Sequence, residues 1–208
     1  MKIKICGMKY PENIKDIALL KPDHLGFIFY SASKRFVGED FKFSDFEKTM
    51  ANIDRVAVFV NESNTVMEKM VEQYNINIIQ LHGDESPQQC KDLKEKRYIV
   101  IKAFSMAEGF DFSILKDYEL VTDYFLFDTK TTGYGGSGQA FNWQLLNQYN
   151  LSRPFFLSGG LGVHNIEQFL EFSHPMLHGY DFNSRLEIKP GLKDKESASL
   201  IIDKIKKI

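Results

Sequence analysis

The chain has little cysteine, no long apolar run and no excess of either charge, and each shortage excludes something. Two cysteines, Cys6 and Cys90, in 208 residues are too few for a disulfide framework. Neither belongs to a CxxC pair, and no two histidines stand at ligand spacing on one element, so no metal site is expected. No segment approaches about 18 consecutive apolar residues, which argues against a membrane-spanning helix. The opening MKIKICGMKY lacks the apolar core of a signal peptide. Lysine and arginine number 26 against 28 aspartate and glutamate, leaving no electrostatic footprint for nucleic acid. Anionic small molecules stay open, because local pockets bind them. The expectation is a cytoplasmic protein with free thiols.

What is present is alternation. Short β-rich apolar runs recur as KIKIC (2–6), HLGFIF (24–29), RVAVFV (55–60), NIIQLH (77–82), YIVIKAF (98–104), YFLFD (124–128), PFFLS (154–158) and HGYDF (178–182). They are mostly apolar rather than strictly alternating, as strands buried on both faces of a parallel sheet are. Helical patterns lie between them, clearest over 64–75, 86–96, 163–172 and 197–208. The second opens on Ser86 and Pro87, a cap and a first helical residue. Fainter patterns cover 11–20, 44–53, 112–120 and 141–149. Eight strand–helix units with no composition shift predict an α/β fold, a single-domain (β/α)8 TIM barrel over 1–208. A doubly wound open sheet is the competing arrangement.

In a barrel, chemistry gathers at the C-terminal ends of the strands. Cys6, His82, Asp128, Ser158-Gly159-Gly160 and Asp181 all fall there. Cys6 could be a small buried hydrophobe or a nucleophile or base at the rim. Asp128 and Asp181 could cap turns or act on a ligand, and His82 could serve a rim hydrogen-bond network or a ligand. Arg35, in the loop after the second strand, reads as a solvated charge or as a fork for a carboxylate. The loops after strands seven and eight, SGGL and NSRLEIKPG, suit phosphate, since glycine lets the backbone approach an anion.

Residues 133–138, GYGGSG, satisfy G-x-G-x-x-G. A dinucleotide turn needs an acidic residue about 20 positions further on, and SRPFFLSGG supplies none there. The stretch from Asp128 to Phe141 reads instead as a mobile active-site loop acting as a lid.

These residues, in this order, resemble the phosphoribosylanthranilate isomerase family. The resemblance runs from KICGM through GFIFYSASKRFV, VAVFVNES, IIQLHGDES, LFDTKTTGYGGSGQAFNW and FFLSGGL to GYDFNSRLEIKPGLKD, essentially the whole chain. It implies an Amadori rearrangement of N-(5′-phosphoribosyl)anthranilate in tryptophan biosynthesis, with no metal or organic cofactor, by a monomer or homodimer. By motif, it implies Cys6 as general base on ribose C2 and Asp128 as general acid on the furanose oxygen. Arg35 would hold the anthranilate carboxylate. Gly159, Gly160, Asn183 and Ser184 would bind phosphate, and His82 and Asp181 would add polar contacts to substrate. Arg185 stands where many members place glycine, and Asn142 where aspartate is common. The acid–base pair faces opposite demands: a thiol of ordinary pKa about 8.5 must lose its proton, and a carboxyl of ordinary pKa about 3.9 must keep one. Other sugar-phosphate isomerases or synthases on this barrel, or a non-catalytic sugar-phosphate-binding protein, are the alternatives.

Overall fold

Eight short strands pair in sequence order: β1 (Lys2–Ile5), β2 (His24–Ile28), β3 (Asp54–Phe59), β4 (Ile78–Leu81), β5 (Ile99–Met106), β6 (Tyr124–Thr129), β7 (Phe155–Leu157) and β8 (Leu177–Phe182). The computed structural model describes residues 1–129 and 140–207, apart from the side chains of residues 45 and 47. Each strand runs parallel to the next. β8 returns to pair with β1, Lys4 opposite Asp181, so the sheet closes into a barrel. The open doubly wound arrangement is thereby excluded.

The two faces of each strand explain the near-continuous apolar runs. In β1, Ile3 and Ile5 face the helices, while Lys4 and Cys6 face the barrel interior, following the period of two. Val56, Val58, Ile78, Ile101, Leu126 and Phe156 fill that interior. At its N-terminal end, Phe156 packs edge-on against His24 and His178, with ring centroids 5.6 and 5.2 Å away. This plug makes the lower barrel a packed core and leaves the upper end for a pocket.

Among the described residues, six α-helices cover the outside: α1 (Pro11–Ala18), α2 (Asn64–Gln73), α3 (Pro87–Glu95), α4 (Lys116–Glu119), α5 (Ile166–Glu171) and α6 (Lys195–Ile205). The cap expected at Ser86 is present, its side chain accepting from Gln89 N, with Pro87 as first helical residue. Three fainter helical patterns turn out differently. Residues 43–50 form two short 3-10 turns, 143–148 form one, and 112–115 form another that leads into the single turn of α4. In the first, Phe41, Phe43 and Phe46 are spaced two and three apart and lock into an aromatic cluster, Phe41 and Phe43 at 4.9 Å. Such spacing does not keep one helical face inward. In the second, buried Leu146 and Tyr149 are three apart, a separation that eclipses on a 3-10 turn.

After β8 the chain makes a 3-10 turn, Ser184–Leu186, and then a hairpin of β9 (Glu187–Lys189) and β10 (Leu192–Lys193). Asn13 of α1 docks this hairpin, its side chain exchanging two hydrogen bonds of 2.8 Å with the Lys193 backbone. The hairpin carries Glu187 and Lys193 back beneath the strand ends.

Candidate active site

A partly enclosed cavity lies at the C-terminal end of the barrel, where barrels of this type place their chemistry. Its lining includes Cys6, Arg35, His82, Asp128, Gly159, Gly160, Asp181, Asn183 and Ser184. Every site residue singled out from the sequence therefore meets in one place. Ile28, Tyr30, Val58 and Val60 supply an apolar wall.

Cys6 follows the last residue of β1 and is 3% exposed. Its sulfur sits against β2, where a Cβ on Gly26 would lie only 2.7 Å from Sγ. Burial pushes the Cys6 thiol up, Lys4 pulls it down, and Asp181 works against Lys4. Lys4 lies one inward step below Cys6 on β1 and donates to Asp181 Oδ1 at 2.8 Å. Burial opposes the charge on Lys4, yet Asp181 and Cys6 outweigh it and hold the ammonium above its ordinary range. For Asp181, burial dominates and raises its carboxyl despite Lys4.

Asp128, near the end of β6, accepts from the Thr129 backbone at 2.8 Å through Oδ1. Its Oδ2 lies 3.4 Å from His82 Nε2. Gln80 Nε2 meets His82 Nδ1 at 2.9 Å; with the amide donating there, the imidazole proton sits on Nε2, facing Asp128. His82 is thus held between the barrel interior and the carboxyl.

Arg35 is gripped by Glu187, with Nε at 2.8 Å from Oε1 and Nη2 at 2.7 Å from Oε2. Lys193, wholly buried, donates to Glu187 at 2.8 Å and to the side chain and backbone of Asn183. Burial pushes the Lys193 ammonium down to about 8, with Glu187 opposing. Glu187 is itself held below its ordinary value: burial would raise it, but the bonds and charges of Arg35 and Lys193 prevail. Two cations share one anion here, leaving one positive charge to the pocket.

Gly159 and Gly160 have φ of +87° and +69°, values that suit glycine. A Cβ at Gly159 would also sit 2.3 Å from Thr129 Oγ1. Asn165 ties the turn, accepting from Gly162 N and donating to Gly160 O. Ser184 opens the 3-10 turn beside it. Arg185, also on the pocket wall, is not among the described non-glycine residues with positive φ, so a side chain there carries no backbone strain.

Several participants escaped the sequence reading: Lys4, Gln80, Gly26, Glu187 and Lys193. Lys4 alone left a local signal, since the alternation K-I-K-I-C places it on the same face as Cys6. The fingerprint at 133–138 and the lid proposed for that loop lie outside the described residues. Among the described residues, no group of three or more His, Cys, Asp or Glu is placed to hold a metal ion, and no helix is long and apolar enough to cross a membrane.

A thiol and a carboxyl open onto one pocket at the C-terminal mouth of a closed (β/α)8 barrel, the end at which barrel enzymes carry their chemistry. Comparison with known proteins narrows the class. The chain belongs to the N-(5′-phosphoribosyl)anthranilate isomerase family, whose model matches residues 3–204; it is an isomerase. It is 44% identical to the N-(5′-phosphoribosyl)anthranilate isomerase of Parabacteroides distasonis over 99% of this chain and 93% of that one. The crystal structure of the phosphoribosyl anthranilate isomerase from Thermotoga maritima superposes with a TM-score of 0.84 at 32% identity, all of both chains covered. A phosphoribosyl anthranilate isomerase solved in complex with reduced 1-(o-carboxyphenylamino)-1-deoxyribulose 5-phosphate gives 0.82 at 29% identity, again over both whole chains.

Proposed function

We propose that this chain, acting as one catalytic domain over 1–208, converts N-(5′-phosphoribosyl)anthranilate to 1-(2-carboxyphenylamino)-1-deoxyribulose 5-phosphate in tryptophan biosynthesis. Asp128 gives a proton to the furanose ring oxygen as the C1–O bond breaks, and the anthranilate nitrogen takes up the developing charge as an iminium. The Cys6 thiolate removes the C2 proton, giving the enol-amine, which tautomerises to the ketone. No redox partner is required, because one carbon is oxidised as its neighbour is reduced. Each proton transfer by a positioned group contributes about 10²–10⁴-fold.

The remaining groups orient the substrate. Backbone N–H groups of Gly159, Gly160, Asn183 and Ser184 take the phosphate, with the Asn183 side chain already engaged by Lys193. The edge of Arg35 turned away from Glu187 receives the anthranilate carboxylate, backed by the surplus positive charge of the Arg35–Glu187–Lys193 group. Asp181 and His82 act through Cys6 and Asp128 respectively. The reading places the protein in the cytoplasm as a monomer or homodimer.

The observation that carries this function is the shared pocket: Cys6 and Asp128 open onto the same cavity as the Gly159-Gly160 turn. The test is complementation of a tryptophan auxotroph lacking this isomerase, followed by assay of the purified protein. Loss of the fluorescent substrate reports turnover. A pure, folded protein that leaves that fluorescence unchanged overturns the reading.

A further inference from the structure

Lys4 is a lysine with no exposed surface, set in a barrel interior that Val56, Val58, Ile78, Ile101, Leu126 and Phe156 largely fill. Burying an ammonium is costly unless its charge is met. Asp181 meets it across the closing seam between β1 and β8, at 2.8 Å. That pair would satisfy a purely structural role. The ammonium has another neighbour, however: the Cys6 sulfur is the next inward-facing group, two residues along β1, and the charge of Lys4 favours its ionised form.

The surroundings of the sulfur are sparse in other compensation. Gly26 of β2 backs it without a side chain. Negative charge on Asp181 of β8 works against a thiolate, and Lys193 of β10 acts more weakly than Lys4. Asp128 and His82 stand on the pocket wall, and Arg35 is tied to Glu187. Of the groups facing Cys6, Lys4 is the strongest support for negative charge on sulfur.

We propose that Lys4 is the positioning residue that makes Cys6 a base: its ammonium is the counter-ion of the thiolate, divided between the sulfur and the Asp181 carboxylate. Asp181 then tempers the base rather than serving only the substrate. When Cys6 takes the substrate proton, the ammonium reverts to Asp181, so the buried charge is met at each stage. This rests on Cys6 being the general base.

The test reads Cys6 directly. Iodoacetamide alkylation of the full-length protein is followed by mass spectrometry across pH, with buried Cys90 distinguished by its peptide. Lys4→Gln keeps a donor for Asp181 and removes the charge. Its Cys6 midpoint should rise by at least about one pH unit, a tenfold loss of thiolate below the midpoint, and kcat should fall at least about tenfold with KM little changed. Lys4→Arg should restore much of both. Asp181→Asn should move the midpoint the opposite way, because the ammonium is released to the sulfur. An ion pair that merely held the fold would not produce opposite shifts. An unchanged midpoint in Lys4→Gln, or shifts of the same sign in both variants, overturns the proposal. If Lys4→Gln does not fold, the double variant Lys4→Gln/Asp181→Asn, which leaves no unmet charge in the barrel, is compared with Asp181→Asn: the added loss of Lys4 should raise the Cys6 midpoint, and equal midpoints overturn the proposal. Full turnover in Cys6→Ser would instead remove the base assignment, and alkylation would still report on Lys4.

Discussion

Arg35 and Glu187 stand 152 positions apart in the chain and meet in a two-pronged ion pair, Nε to Oε1 at 2.8 Å and Nη2 to Oε2 at 2.7 Å. Glu187 comes from the hairpin beyond β8, and Arg35 from the loop after β2. The pair fixes the guanidinium plane, and Lys193 beneath it prevents the carboxylate from cancelling the arginine's charge. A carboxylate-binding arginine is more useful held than free, since its ordering entropy is already lost before substrate arrives.

Glu187→Gln should loosen Arg35 and bring two cations together without their anion. Removing one partner of a buried pair costs about 3–5 kcal/mol, so urea unfolding should shift clearly downward. In enzyme that remains folded, KM should rise more than kcat falls. Arg35→Met should do the same through lost substrate contact; an unaltered KM there would end the carboxylate assignment.

Cys6→Ser and Asp128→Asn should each lower turnover by at least about a hundredfold. Circular dichroism and unfolding midpoints should remain near those of the parent. A variant with near-normal kcat would take that residue out of the proton path.

Gly159→Ala puts a Cβ 2.3 Å from Thr129 Oγ1 on a backbone at φ +87°. The strain costs on the order of 1–3 kcal/mol and displaces the turn assigned to phosphate. Inorganic phosphate should inhibit this variant less well than the parent, and steady-state inhibition constants would show it. Equal inhibition would mean that phosphate sits elsewhere.

Acid should weaken the lower barrel through His24. Burial pushes its pKa down to about 4, with Asp54 opposing and Lys4 assisting. The folded protein thus prefers the neutral ring. Stability is complete above the ordinary value near 6.5 and declines as pH falls from there towards 4. The decline amounts to about 3 kcal/mol by pH 4. His24→Met should flatten that part of the curve in urea titrations between pH 7 and 4; an identical slope would assign the acid sensitivity to other groups.

Legibility followed distance along the chain. The strands were readable because runs such as RVAVFV announce burial on both faces, and their C-terminal ends then singled out Cys6, His82, Asp128 and Asp181 as candidates, which the structure brings into one pocket. Of the fainter helical patterns, 11–20 was readable too and forms α1, and the other three turned out differently. Residues 44–53 and 141–149 have the composition of helices, but Phe43 and Leu146 obey tertiary packing that favours 3-10 turns. Glu187 and Lys193 carry no local signal of burial in the sequence, and only docking on α1 and the strand ends buries them.

The succession of strands along the chain and the residues at their ends follow from the sequence alone, because a run of apolar residues bounded by polar ones is a local property, whereas closure of the sheet into a barrel was settled by the structure. Which charges neutralise one another was decided by the tertiary structure. Lys4 finds Asp181, 177 positions away, only because β8 closes on β1 in one register. A shift of one residue in that seam would turn Asp181 to the opposite face and leave the buried ammonium unmet.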